Sequence, residues 1–177
     1  MTVLTKPRPL AASSCYSLHP SPIGELILTS DGKSLTGLYM RTPRHGDDPR
    51  SLLRHDDGPF QDVRRQLDEY FEGERAAFDV PLSPTGTPFQ RRVWEELSRI
   101  PYGSTISYAE LARRVGNAGA SRAVGSANGR NPISIIVPCH RVIASDGGLG
   151  GFGGGLERKE WLLSMESGVL RRSEIIQ

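Results

Sequence analysis

Apolar residues follow two different rhythms along this chain. Between residues 13 and 40 they form short runs, and ELILTSDGKSLTGLYM sets two such runs around Asp31-Gly32. An Asp-Gly pair between strand-like runs is a hairpin signal, so this stretch predicts a small antiparallel unit. Residues 41–58 are polar, with two acidic pairs and two prolines, and predict a mobile connection. From Phe60 the rhythm becomes helical: apolar residues stand at 60, 63, 67, 70 and 71, and Gly73 ends the run. PLSPTGTP at 81–88 is the best candidate for a boundary between an N-terminal domain, 1–84, and a second domain, 85–177.

The second half opens on Thr87-Pro88-Phe89-Gln90, with an N-cap, proline at the first helical position and glutamine at the third. Phe89, Val93, Trp94, Leu97 and Ile100 form the expected buried stripe, and Pro101 stops the helix. A second capping box, Ser107-Tyr108-Ala109-Glu110, predicts a short helix through Val115. A four-residue turn at 116–119 leads to ASRAVGSANG, another short helix. Helix, tight glycine-containing turn, helix is the outline of a helix-turn-helix. Ala120, Ala123, Val124 and Ala127 make the thin apolar stripe of the second helix. Its other face offers Arg122, Ser126 and Gly129, with Ser121 and Gly125 beside them. Such a face suits either a tight helix–helix contact or close approach to a nucleic acid backbone with Arg122 as the probe.

An apolar strand is expected next, ISIIV at 133–137, running into Pro138-Cys139-His140. Seven glycines follow within nine positions, 147–155. A lone buried cysteine is usually a small hydrophobe. A nucleophilic one needs a base within reach. Adjacent residues diverge in both helix and strand, so a Cys139–His140 contact requires a turn or a bridging water. The histidine in turn needs an orienting group, and Glu166 and Glu160 on the final predicted helix are both candidates. Asn131-Pro132 is ordinary turn chemistry unless the asparagine serves the site. Glycine-rich backbone permits close approach of a flat ligand, and Phe152 could cover its face. No Gly-Lys-Ser/Thr follows, so this is not a P-loop.

Composition narrows the classes further. The chain has 177 residues, 37% hydrophobic and 24% charged, and 33 of them are glycine or proline. That describes an ordinary water-soluble fold rich in turns. No apolar run approaches the ~20 residues of a membrane span. The first residues lack the apolar core of a signal peptide, so a cytoplasmic protein with free thiols at Cys15 and Cys139 is expected. No Cys/His spacing reads as a zinc site, and no metal or other cofactor is expected. Net charge is +2, divided as −2 over 1–83 and +4 over 84–177. The basic bias lies in the half that carries Cys139, which suits a polyanionic partner.

Together these segments resemble the O6-alkylguanine-DNA alkyltransferases. The resemblance rests on Asn131-Pro132, Pro138-Cys139-His140-Arg141, Tyr102-Gly103, Ser107-Tyr108, Ser121-Arg122-Ala123-Val124-Gly125, the glycine loop and Glu160-Trp161-Leu162-Leu163. It runs from about Phe89 to Gly168 and extends more loosely over SPIGELIL and the hairpin. It implies an α+β fold: a small sheet-plus-helix domain, then a mostly helical, winged helix-turn-helix-like domain. It also implies direct damage reversal, in which an alkylated guanine is flipped from double-stranded DNA and its alkyl group moves irreversibly to the protein. Carried over by motif, Cys139 is the acceptor, His140 its base through a water, and Glu166 the orienting group. Asn131 braces the site and Tyr108 protonates the leaving guanine. Arg122 fills the gap in the stack, with Ser121, Ala123, Gly125 and Ser126 lying against the minor groove, independent of sequence. Val142, Phe152 and Gly153 bound the base pocket. Phe152 and Gly153 stand where some members carry Tyr and Ser. The expected protein is a monomer in solution, with several copies on DNA. Two rival readings are a non-catalytic DNA binder and a cysteine hydrolase.

Overall fold

The computed structural model describes residues 12–40 and 48–168. Three antiparallel strands open the described chain: β1 (Cys15–His19), β2 (Leu26–Ser30) and β3 (Leu35–Tyr39). The expected turn joins β2 to β3. Gly32 has φ +96°, and a Cβ there would lie 2.8 Å from the Ser13 Cβ. Asp31 Oδ1 accepts from the N–H groups of Lys33 and Ser34 at 2.9 and 2.8 Å, the usual role of aspartate in a turn.

The connection expected over 41–58 is largely structured where it is described, from residue 48. Asp48 caps a one-turn helix, α1 (Pro49–Leu52). β4 (Arg54–His55) then pairs in parallel with β1, giving the order β3-β2-β1-β4. Polar composition misled here because an edge strand of two exposed residues needs no apolar side chains. Helix α2 (Gln61–Phe71) follows and buries Val63, Gln66, Leu67, Tyr70 and Phe71.

In the second half, α3 (Pro88–Ser98) carries both halves of its capping box: Thr87 Oγ1 accepts from Gln90 N at 3.2 Å, and Gln90 Oε1 from Thr87 N at 2.9 Å. At α4 (Tyr108–Arg114) only the serine half forms, with Ser107 Oγ accepting from Glu110 N at 3.1 Å. The Glu110 carboxylate turns instead to Arg113 and Arg114. Helix α5 (Ser121–Gly129) packs on α3 and α4, and the Trp94 indole donates to the Ala127 carbonyl at 2.9 Å. Its buried stripe is Val124, Ala127 and Asn128, while Ala123 faces out. Asn128 is tolerated inside because its amide donates to the Cys139 carbonyl at 3.3 Å.

The strand expected at 133–137 is a knot of turns. Ile133 makes a single bridge to Leu38, after which Val137 N donates to Ile133 O at 3.0 Å and Cys139 N to Val137 O at 2.8 Å. Ile135 sits at φ +72°, a conformation that costs a β-branched residue on the order of 1–3 kcal/mol. Burial of Ile133, Ile135 and Val137 holds it there. Short strands β5 (Ile106–Ser107) and β6 (Val142–Ile143) pair in parallel. The glycine loop then leads into α6 (Leu156–Glu166). A single buried cluster runs from Cys15 to Met165 and joins both halves. Among the described residues no helix is long and apolar enough to cross a membrane.

Candidate active site

Pro138 ends the turn knot and residues 139–141 form one 3₁₀ turn. That turn settles how the thiol and imidazole divide. Cys139 is 5% exposed and lines a cavity of about 750 Å³, large enough for a base with an attached group. His140 is fully buried behind it. Tyr108, Gly125, Asn131, Ser134, Phe152 and Gly153 share the cavity wall with the thiol. Tyr39 and Met40 reach it from the end of β3.

Burial pushes the Cys139 thiol up, and hydrogen bonds from Asn131 and Ser134 and the charge of Lys159 offset this only in part. The resting group is therefore a thiol that needs a base. His140 is placed for that role. Its Nε2 lies 2.8 Å from Glu166 Oε1, and its Nδ1 has no protein partner. Burial lowers the imidazole pKa, with the Glu166 hydrogen bond and charge opposing and Arg141 and Lys159 assisting. At neutral pH the ring is neutral. Its proton belongs on Nε2, facing the carboxylate, so Nδ1 keeps a free lone pair.

Glu166 holds this arrangement. Its carboxylate also accepts from Arg141 Nε at 2.8 Å, Arg141 Nη2 at 2.9 Å and the Tyr70 hydroxyl at 2.6 Å. The Gly103 N–H lies at 3.4 Å. Burial alone would raise its pKa, but the hydrogen bonds of His140 and Arg141, the Arg141 charge and, once acid protonates the imidazole, the His140 charge outweigh this and hold it at about 2. Gly103 has φ +74°, and a Cβ there would come within 2.9 Å of the Glu166 carbonyl. Glu160, the other candidate, is exposed. Arg141 Nη1 donates to Ile100 O at 2.7 Å.

Asn131 organises the turn knot, donating to Val137 O at 2.7 Å and accepting from Ile133 N at 3.0 Å. The Tyr108 ring is bracketed by glycines. A Cβ on Gly150 would meet it at 3.0 Å and one on Gly125 at 3.7 Å. Burial, then the nearby Cys139 charge, raises the Tyr108 pKa, so it keeps its proton. Gly154 is equally constrained, since a Cβ would fall 2.5 Å from Met40 Sδ.

Several of the expected site residues lie off the cavity. Val142 is buried beside it: its N–H donates to Cys139 O and its carbonyl accepts from Lys159 Nζ at 2.6 Å. Arg122, Ala123, Ser126 and Gly129 lie on the exposed face of α5, with Ser121 half-buried next to them. Of this group only Ser126 and Gly129 reach the cavity rim. Tyr70, Asn128 and Lys159 escaped the sequence reading, and Arg141 was read only as part of the Pro138–Arg141 motif, without a role. The signal for Lys159 was present, since it shares the apolar stripe of α6 with Leu162, Met165 and Glu166. No group of three His, Cys, Asp or Glu side chains could hold a metal among the described residues.

A sheet-plus-helix domain followed by a helix-turn-helix domain, with a buried thiol opening on a pocket between them, defines the class of protein. Residues 15–84 match the ribonuclease-like domain of 6-O-methylguanine DNA methyltransferase, and residues 88–168 match its DNA binding domain. The methylated-DNA–protein-cysteine methyltransferase of Mycobacterium leprae is 52% identical over 152 residues, covering 86% of this chain and 91% of its own. That of Methanosarcina acetivorans is 47% identical over 152 residues, covering 85% and 97%. The crystal structure of Mycobacterium tuberculosis OGT in complex with DNA superposes with a TM-score of 0.83 at 47% identity, covering 92% of this chain and 99% of the other. This chain belongs to the 6-O-methylguanine DNA methyltransferase family.

Proposed function

We propose that the protein repairs O6-alkylguanine in double-stranded DNA by moving the alkyl group to its own Cys139. The observation that carries the reading is a thiol on the wall of a base-sized cavity beside a neutral, carboxylate-held imidazole. A water accepting at one end and donating at the other would link Cys139 to the open Nδ1 of His140. The thiol proton leaves by that route and the thiolate attacks the alkyl carbon. The carbon–O6 bond breaks, its electron pair stays on the base, and the guanine takes up one proton, which the Tyr108 phenol is placed to deliver, the phenolate being reprotonated through solvent as His140 gives up the proton it took from the thiol. The proton lost by the thiol and the proton gained by the base balance. A thioether is a poor leaving group, so each chain acts once, and one copy per lesion suffices.

The exposed face of α5 supports a minor-groove approach. That groove is only about 6 Å wide, and Ala123, Ser126 and Gly129 leave the helix nearly flat there. Arg122 is the long side chain able to enter the stack, offsetting part of the few kcal/mol that flipping costs. Contacts of this kind read no sequence, which suits a lesion scanner. The test is incubation with duplex DNA carrying O6-methylguanine, then peptide mass spectrometry. One methyl group per chain, on Cys139, is the expected result. Repeated turnover or an unmodified Cys139 would overturn the proposal.

A further inference from the structure

Glu166 receives one hydrogen bond that comes from the other domain. Tyr70 lies near the end of α2, 96 residues earlier in the chain, and its hydroxyl donates to Glu166 Oε1 at 2.6 Å. The same oxygen accepts from His140 Nε2 and Arg141 Nη2. Tyr70 has no solvent exposure, and its ring is fixed edge-on or tilted against Phe71, Phe78 and Tyr102, with centroids 5.3, 5.3 and 6.1 Å away. A greasy pocket would be filled equally well by phenylalanine. The hydroxyl is present, buried, and aimed at the one carboxylate that holds the imidazole.

From this geometry we infer that Tyr70 is a positioning residue for alkyl transfer, through which the N-terminal domain sets the basicity of His140. The inference rests on the functional reading above. A donor on Oε1 draws electron density from the oxygen that His140 addresses, and hydrogen bonds sharing one acceptor compete. With Tyr70 present, Oε1 is a weaker partner for the imidazole Nε2–H, and imidazolium is less stabilised. Without it, Glu166 pulls harder on that proton and His140 becomes more basic. Every charged or titratable neighbour of the ring acts on the same balance. Glu166 favours imidazolium, and Arg141 and Lys159 oppose it. Burial and the carboxylate keep Tyr70 itself protonated, its pKa raised well above the ordinary value, so it acts only as a donor. Tyr102 faces Glu166 and Arg141 and is likewise shifted up by burial and the carboxylate.

The sign is definite. A base must be unprotonated, so raising the His140 pKa moves the acid limb of the rate–pH profile to higher pH. The experiment is Tyr70→Phe, which keeps the ring and removes the hydroxyl. Single-turnover methyl transfer at saturating lesion DNA is followed from pH 5 to 9 beside the unsubstituted protein, with DNA affinity and thermal unfolding recorded. We expect the limiting rate to fall about tenfold near pH 6, where a changed proton balance is felt most, with DNA affinity unchanged and the acid limb displaced upward. Nitrogen-15 shifts of the His140 ring across the same range provide a readout that needs no activity, and an upward displacement of its titration is expected. An unchanged acid limb and an unchanged ring titration would overturn the inference, whatever the loss in thermal stability. If the unsubstituted protein transfers no methyl group, the functional reading fails instead.

Discussion

Lys159 Nζ lies 2.6 Å from the Val142 carbonyl, and its other two protons go to Leu149 O and Gly151 O. A single fully buried ammonium thus ties the strand after the reactive turn to the glycine loop. Burial brings its pKa down to about 8, with the Cys139 charge opposing. Near neutral pH it is still mostly charged and spends all three donors on backbone carbonyls.

Replacing Lys159 by Met keeps the length and removes the donors. The buried Val142 carbonyl left unpaired costs roughly 1–3 kcal/mol, while the carbonyls of half-buried Leu149 and exposed Gly151 can turn to water. A net loss of about 1–2 kcal/mol is expected by chemical denaturation, with methyl transfer slowed even where the variant is fully folded. Unaltered transfer in a folded Lys159→Met protein would show that the glycine wall needs no anchor.

Cys139→Ser should abolish methyl transfer and leave DNA binding within about twofold, because the thiol contributes nothing to phosphate contacts, which dominate affinity. A gel-shift titration beside the transfer assay checks both halves. Residual repair in this variant would point to another acceptor.

Arg122→Ala is expected to slow repair of duplex DNA by roughly tenfold or more while sparing a lesion in single-stranded DNA, where no stack must be opened. Equal loss on both substrates would place Arg122 in general phosphate binding and remove it from the flipping step.

Acid stability should report Glu166. Its ordinary pKa is 4.5 and its folded value about 2. A carboxyl depressed by folding adds stability that is complete above the unfolded value and disappears as pH falls through the folded one. That contribution is present at neutral pH and lost between about pH 5 and 2. Glu166→Gln should therefore be less stable at pH 7, and its stability should fall less steeply than that of the unsubstituted protein over that interval. Denaturant melts at several pH values measure the slopes, and parallel slopes would mean that folding leaves the Glu166 pKa unshifted.

Where local rules govern, the sequence was readable. The Asp31-Gly32 turn, the Thr87–Gln90 cap and the helical spacing after Phe60 each depend on neighbours a few residues apart, and each formed as read. The 133–137 segment did not, because its buried Ile133, Ile135 and Val137 satisfy a turn knot as well as a strand. Only the long-range bridge to Leu38 and the Asn131 bonds decide between them. The Ser107 box closed halfway because two arginines compete for Glu110. The choice of Glu166 over Glu160 could not come from spacing, since both lie on one helix and only packing reveals which side faces His140. Tyr70 was out of reach for the same reason: nothing within its own helix distinguishes a buried phenol from a core phenylalanine.

The Glu166 carboxylate, carried by α6, gathers donors from α2, the 103 loop and the 139–141 turn. Four stretches of chain, spread over nearly a hundred residues, meet at two oxygen atoms. A fragment that lacks any one of these stretches leaves the carboxylate short of a partner. Along a denaturation curve, the capacity to accept a methyl group should vanish with the global transition and not before it. Measured reactivity then doubles as a count of intact molecules.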